Sequence, residues 1–312
     1  MIELQVIKEK VSDIQESITN HRDEFIGGSD AGTILGFNPY KSAYTLWAEK
    51  TNKVVNDFQG NEATRIGHDL EEYVAKRFEE ATGKKVHRSN YRYKLKSYPF
   101  IVGHVDRLVI GEKAGLECKT AGIYSKTDYE GGDIPPSYYA QCQHYMAVTG
   151  CDHWYIAILV LQKGFYWSRI DRDEEEIKAL LEAEIDFWNH VQSGEPVSID
   201  GSESTNETLN AMHTGTAEDI DLSAYEASIY AYSKNQQEIK TLQEANRGIQ
   251  NELKAAMGTS SYGHAGNAKV GWKNVSTRRL DSKALKSAHP DLYESYSSTS
   301  VTQRFTVTVA NE

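Results

Sequence analysis

The sequence predicts a mixed α/β (α+β) protein in which a central mixed sheet is flanked by helices. Three observations predict it. Segments of helical and strand periodicity follow one another as helix, strands, helix, strands, helix between about residues 61 and 191. Trp154 to Leu161 is an apolar run of strand length, and Gly164 to Ile170 reads as its hairpin partner. Two shorter segments, around Asp106 and around Glu117, carry charges among strand-forming residues, as the interior of a functional sheet would.

Taken in order, residues 1–20 read as a short helix or an extended arm. Gly27 to Gly36 looks like a turn opening a small helix, with Ser29 or Asp30 as a natural N-cap. Asn38-Pro39 ends it, and Ser42 to Lys50 resumes a helix with Tyr44, Leu46 and Trp47. A longer helix runs from about Asn61 to Thr82 and stops at Gly83. Its stripe is Ile66, Leu70, Val74 and Phe78. At about 100° per residue Glu71 lies at the stripe's edge and Glu72 points away. Strands follow at Lys85 to Leu95, Phe100 to Ile110 and Gly115 to Thr120. Pro135-Pro136 opens a helix over Ser137 to Thr149 that ends at Gly150, and Glu174 to Val191 is amphipathic and acidic.

Residues 1–195 are expected as the main domain. Residues 196–219, rich in Ser, Thr, Asn and acids, read as a linker, and 220–312 as a C-terminal helical and β-hairpin region. There Leu222, Tyr225, Ile229, Tyr232, Ile239, Leu242, Ile249 and Leu253 form a stripe. Its heptad slips near Gln236 and Gln243, leaving a helical hairpin or a short coiled coil open. Lys269 to Lys273 and Val301 to Val309 read as strands.

The chemistry gathers at Asp106-x10-Glu117-Cys-Lys119. Alternation along a strand puts Glu117 and Lys119 on one face. A tight loop at Gly111 to Gly115 brings Asp106 beside Glu117. Two carboxylates there suit Mg²⁺, a hard cation that prefers oxygen ligands, and an adjacent amine can orient or deprotonate a water. That is a hydrolytic phosphodiester site in outline. The bland reading of such a pattern is a solvated strand face, and the surrounding core-strand residues argue against it.

Bulk properties bound the rest. The chain has 312 residues, 39% of them apolar and 25% charged, and no apolar run of membrane-spanning length or signal-peptide character. Cys118, Cys142 and Cys151 have neither the number nor the spacing for a disulfide framework, a zinc site or an iron–sulfur site, which fits a reducing cytoplasm. A net charge of -11 argues against a generic nucleic-acid coat protein. Charge is segregated, however. Lys76, Arg77, Lys84, Lys85, Arg88, Arg92, Lys94 and Lys96 form a basic run interleaved with tyrosines, a plausible backbone-contacting strip.

Four blocks in order then resemble a known family. They are Arg22-x3-Ile-Gly-Gly-Ser-Asp-Ala, Arg65-Ile-Gly-His-Asp-Leu-Glu, Gly103-His-Val-Asp with Glu117-Cys-Lys, and Pro136-x-Tyr-Tyr-Ala-Gln-Cys-Gln-His-Tyr-Met. Together they resemble the YqaJ-type viral recombinases, relatives of phage lambda exonuclease among the PD-(D/E)xK nucleases. The resemblance implies a restriction-endonuclease-like core and the following roles. Asp106, Glu117 and Glu71 would bind Mg²⁺, with Mn²⁺ as a substitute and the Cys118 carbonyl as a further ligand. Lys119 would be the catalytic lysine, and Gln141 and Tyr145 belong to the Gln-x3-Tyr helix beside the site. Arg22 and Ser29 would bind the terminal 5′-phosphate. The lambda-type pattern has a further phosphate-binding Arg after the lysine, where this chain reads Thr120-Ala-Gly-Ile-Tyr-Ser-Lys-Thr. Ser125 or Lys126 would have to stand in.

The activity implied is 5′→3′ digestion of duplex DNA ends, leaving 3′ single strands. The partners implied are double-stranded DNA, a single-strand annealing protein and further copies of the chain in a ring, a trimer favoured, in the host cytoplasm if phage-encoded. The departure after Lys119 keeps a structure-specific or nicking endonuclease open. A non-catalytic DNA-binding protein is the reading from a different class, and the intact Asp106, Glu117 and Lys119 set speaks against it.

Overall fold

The computed structural model describes residues 4–11, 21–55, 60–125, 127–216, 219–299 and 302–309. The chain divides into two compact units, Met1–Thr214 and Gly215–Glu312. The first opens with strand β1 (Val6–Lys10) and a 3₁₀ turn at Arg22–Glu24, then α1 (Gly28–Ile34), α2 (Ala43–Lys50) and α3 (Glu62–Thr82). Strands β2 (Val86–Arg88), β3 (Tyr91–Leu95), β4 (Val102–His104), β5 (Arg107–Val109) and β6 (Ala114–Ala121) follow. Helix α4 (Pro136–Thr149) leads into β7 (His153–Val160) and β8 (Gly164–Asp171), and α5 (Glu174–Ser193) and α6 (Glu203–Met212) close the unit. The mixed α+β class expected from the sequence is the observed one.

The main sheet has the order β2-β5-β6-β7-β8. Only β6 and β7 run parallel, with α4 as the crossover between them. Parallel strands need such a crossover, and both faces of the sheet are accordingly covered. Val74 and Phe78 of α3 pack with Leu116, Tyr155 and Ala157 on one face. Cys142, Met146 and Val148 of α4 pack with Trp154, Ile156 and Ile158 on the other. Helix α3 stops at Gly83 as its sequence suggested, at φ 71°, and is capped at its start by the Asn61 side chain, which accepts from Thr64 N–H.

The expected strand over 85–95 is two strands in two sheets, and so is the expected strand over 100–110. β2 pairs with β5 in the main sheet, and β3 with β4 in a smaller sheet of order β1-β3-β4. Arg88 faces Arg107, and Arg92 faces His104. One side of this ribbon therefore spends four residues where the other spends three. The extra residue is a bulge, a device that bends a ribbon and re-aims side chains. Asp106 sits at the bend, its carbonyl accepting from Ser89 N–H.

Helix α1 lies unusually close to α4. A Cβ on Gly28 would come 2.5 Å from Tyr145 Cε1, and one on Gly32 would come 2.8 Å from Ser137 Cα. Two glycines four apart share a helix face, and here that face is flattened against α4. The cap of α1 is Gly27, not Ser29 or Asp30; Asp30 instead reaches back to accept the Gly27 N–H at 3.1 Å.

The segment 196–219 was expected as a linker, but it contains α6. Its hydroxyls are buried against α2: Thr45 Oγ1 lies 2.7 Å from Thr208 Oγ1, and Thr205 Oγ1 donates to Ser42 Oγ at 2.8 Å. The second unit holds one continuous helix, α7 (Glu226–Met257), rather than a helical hairpin. A β-hairpin follows, β9 (Tyr262–Ala265) with β10 (Ala268–Gly271), and then α8 (Ser282–Ala288) and α9 (Pro290–Ser295). Residues 302–309, read as part of a strand, have no regular structure, and Phe305 packs edge-on to Tyr232. Val301 lies outside the described residues. Among the described residues no helix is long and apolar enough to cross a membrane.

Candidate active site

β5 and β6 are antiparallel with Arg107 opposite Leu116, so Asp106 stands level with Glu117. Alternation along β6 sends Leu116 and Cys118 toward α3 and Glu117 and Lys119 toward α4, as expected for residues two apart. Glu117 is buried. Its Oε1 accepts from Lys119 Nζ at 2.6 Å and from Gln141 Nε2 of α4 at 2.9 Å. Its Oε2 is also buried and has no hydrogen-bond partner. Asp106 Oδ2 accepts from the Cys118 backbone N–H at 3.4 Å.

Burial, then the negative charges of Glu117 and Glu71, push the Asp106 carboxyl well above the usual carboxylate range. Burial acts to discharge Lys119, but Glu117 and then Asp106 outweigh it and hold the amine protonated, above its ordinary value. The Tyr138 ring lies 5.0 Å from Lys119 Nζ. The site opens into a cleft of about 820 Å³, whose walls include Ser29, Lys119, Ser125, Tyr138 and Gln141.

The donor set fits a divalent cation. A buried carboxylate oxygen without a partner is costly, and crowded carboxylates that raise one another's pKa are relieved by positive charge. The set is not closed, however. Among the described residues no group of three or more His, Cys, Asp and Glu side chains is gathered as a ready metal cage. Glu71 is near enough to act on Asp106, yet its Oε1 accepts from Arg107 Nη2 at 3.0 Å. The same nitrogen reaches Glu72 Oε2 at 3.1 Å.

The remaining expected residues fall as follows. Arg22 Nη2 donates to Ser29 Oγ at 3.2 Å and to Asp30 Oδ1 at 2.9 Å. Arg22 and Ser29 line a second cavity of about 610 Å³, and Ser29 borders the main cleft as well. Tyr145, expected among the DNA contacts, is buried; its hydroxyl accepts from Gln141 at 2.8 Å, so it supports Gln141 from behind. Ser125 Oγ donates to the Tyr129 hydroxyl at 3.3 Å on the cleft wall. Lys126 lies outside the described residues.

Sequence reasoning missed Arg107, a buried arginine tying Glu71 to the strand that follows Asp106. It also missed Lys50, which looked like the basic last residue of an ordinary helix. An arginine directly after a strand carboxylate, inside an apolar strand, was the available signal for the first. The second had none.

Fold and site together define a mixed α+β protein with a buried centre of two carboxylates, Asp106 and Glu117, and a lysine, Lys119. Compared with known proteins, residues 19–152 match the YqaJ-like viral recombinase domain. The uncharacterized protein YqaJ of Bacillus subtilis (strain 168) is 40% identical over 279 residues, covering 88% of each chain. The chain belongs to the YqaJ-like viral recombinase family. Among solved structures it is similar to an alkaline exonuclease (LHK-Exo) from Laribacter hongkongensis, with TM-score 0.49, 19% identity, and 57% of this chain and 93% of that one covered. It is also similar to a phage related exonuclease from Haemophilus somnus 129PT, with TM-score 0.43, 18% identity, and 55% and 96% covered.

Proposed function

We propose that the protein is a Mg²⁺-dependent deoxyribonuclease that digests duplex DNA from 5′ ends and leaves 3′ single strands. The observation that carries the reading is the buried, unpartnered Oε2 of Glu117 beside the charge-crowded Asp106, with Lys119 on the same face. Asp106 and Glu117 would hold the metal. Glu71 would join them by turning from Arg107 or by sharing its second oxygen, and the Cys118 carbonyl would be the further ligand. When bound, the metal would supply Lewis-acid stabilisation of the charge that builds on the phosphate.

The chain's own residues do the rest. Lys119, an ammonium, donates to the attacking water and holds it for in-line approach. Its amine could accept the water's proton only after losing its own to solvent, and the negative charges of Glu117 and Asp106 oppose that loss. Gln141, braced by Tyr145, fixes the Glu117 carboxylate by its Oε1 and leaves Oε2 for the metal. Arg22 and Ser29 offer donors for a terminal 5′-phosphate at the edge of the cleft that Ser29 borders, a charge-assisted clamp. The resemblance further supports a single-strand annealing protein as partner and a ring of copies, a trimer favoured.

The test is incubation of the protein and its Glu117→Gln variant with Mg²⁺ on linear duplex and covalently closed circles. Loss of linear DNA from 5′ ends, absent in the variant and on circles, is expected. Cleavage of circles would move the reading to an endonuclease, and inert wild type would remove catalysis altogether. Lys119→Ala should abolish turnover while DNA binding, read by gel shift, stays within about threefold, because the phosphate contacts that supply most affinity remain.

A further inference from the structure

The wall of the smaller cavity contains a buried charge network that the proposed chemistry does not use. Lys50, the last residue of α2, has only 3% of its side chain exposed. An ammonium has three donors. Lys50 places them on the carbonyls of Arg22 at 2.8 Å and Phe25 at 2.5 Å and on Asp30 Oδ2 at 3.1 Å. Asp30 is equally committed: Oδ2 also accepts from Gly27 N–H, and Oδ1 accepts from Arg22 Nη2. Neither has a group left for a ligand.

Arg22 does. Both hydrogens of its Nη2 are used, on Asp30 and on Ser29 Oγ. Its side chain is 42% exposed at the cavity wall, and among the described residues Nε and Nη1 are left to offer three donors. The Ser29 hydroxyl, accepting from Arg22, keeps its own proton to donate. Lys41, the other lysine on that wall, is taken by Glu49 at 2.7 Å. Arg22, Lys50 and Asp30 sum to one positive charge. Burial alone would raise the Asp30 carboxyl, but Lys50 and then Arg22 outweigh it and keep it ionised.

An arginine on a 3₁₀ turn would ordinarily sweep many rotamers. Here Lys50 pins the backbone carbonyl of Arg22 and, through Asp30, one edge of its guanidinium. Burying an ion pair is costly and seldom stabilising in itself; it is better explained by what it aims. We propose that Asp30 and Lys50 are positioning residues that hold the Arg22 guanidinium against Ser29, so that the pair recognises the terminal 5′-phosphate of the DNA strand entering the cleft. This rests on the clamp reading of Arg22 and Ser29 given above.

The test compares kcat and KM on duplexes ending in a 5′-phosphate or a 5′-hydroxyl. The proteins are the wild type, Arg22→Ala and the charge-balanced double variant Asp30→Asn/Lys50→Met. Wild type should prefer the phosphorylated end by about tenfold to a hundredfold in kcat/KM, the worth of one or two charge-assisted hydrogen bonds. Arg22→Ala should bring the ratio near one. The double variant should lower it at least fivefold through KM, with kcat on hydroxyl ends within about twofold. A merely structural role would lower both substrates alike. If the double variant does not fold, Asp30→Asn is read by the same ratio. Loss of preference in Arg22→Ala with full retention in the Asp30 variants would overturn the positioning role alone. A wild type without preference, or an Arg22→Ala that keeps it, would overturn clamp and support together.

Discussion

His144 and Glu184 offer the sharpest test of how the site helix is held. Both side chains are fully buried. His144 Nδ1 is 2.7 Å from Glu184 Oε1 of α5, and Nε2 is 3.0 Å from the Val102 carbonyl of β4. Two acceptors on one ring call for two donors, which is the imidazolium. Burial acts against that charge, but Glu184 and then the Val102 carbonyl outweigh it and raise the pKa above 6.5. Unit charges about 4 Å apart at an effective dielectric of about 20 attract by roughly 4 kcal/mol. Removing one partner of a buried pair costs about 3–5 kcal/mol, whereas removing both is close to neutral. His144→Leu or Glu184→Leu alone should therefore lower the melting temperature by about 6–20 °C, at 2–4 °C per kcal/mol for a unit of this size. The double variant should melt within about 5 °C of wild type. The assay is a double-mutant cycle followed by circular dichroism. A folded pKa raised above the unfolded value gives stability that is fully present below pH 6.5 and lost as pH rises through the folded value. Wild type should thus lose ground to the double variant on going from pH 6 to 9. Additive losses in the cycle, or a pH-independent difference, would refute the imidazolium pair.

Four further outcomes follow from the same structure. Mg²⁺ at a hundred times its dissociation constant should stabilise wild type by about 2.7 kcal/mol, roughly 5–11 °C, and Asp106→Asn should abolish that response. Without metal the raised Asp106 pKa means its contribution is lost as pH rises from 3.8, so Asp106→Asn should melt above wild type at pH 7 and not at pH 3. Gly28→Ala drives a methyl into the buried Tyr145 ring and should cost about 1–3 kcal/mol in thermal melts; because Tyr145 braces Gln141, kcat should fall as well. A fragment ending at Thr214 should give a cooperative melt, whereas one ending at Glu195 should not, because it uncovers the hydroxyl cluster that α6 shares with α2.

What was legible in the sequence was whatever alternation or capping writes locally. Asn61 and Gly83 bracket α3, Gly150 closes α4, and Glu117 and Lys119 share a face because they are two apart. The bend at Asp106 was less plain. Ile101 and Val105 face the α4 side, and so does Leu108, so the inward positions slip by one across Asp106. The slip is written in the apolar residues, but only the pairing of both strands shows it to be a bulge. Helix α6 was hidden by its composition. Ser, Thr and Asn usually mark a linker because their side chains compete for the backbone; here Thr205 and Thr208 satisfy one another's neighbours across to Ser42 and Thr45. Lys50 shows the same limit for charge. Nothing local distinguishes a lysine that caps a helix end in solvent from one whose three donors are all claimed inside.

The charges around Asp106 explain why an acidic chain can hold such a site. When ionised, Asp106, Glu117, Glu71 and Glu72 bring four negative charges, and Lys119, Arg107 and Arg88 return three. The cations are not spread evenly: Lys119 neutralises Glu117 through Oε1, and Arg107 and Arg88 neutralise Glu71 and Glu72. Asp106 is left as the carboxylate without a cation of its own, and it is the one whose pKa is driven up. The deficit is thus focused at the bend of the ribbon, beside the free Oε2 of Glu117. A divalent cation would fill it and turn the cluster net positive, favourable for a phosphodiester at the moment the metal is in place. Without metal the cluster is net negative and repels the DNA backbone. DNA and metal should therefore bind with positive coupling: Ca²⁺, which supplies the charge without efficient chemistry, should tighten duplex binding by wild type and leave Asp106→Asn unmoved. Equal duplex affinity with and without Ca²⁺, measured at constant ionic strength, would show that the deficit at Asp106 is not where the cation sits.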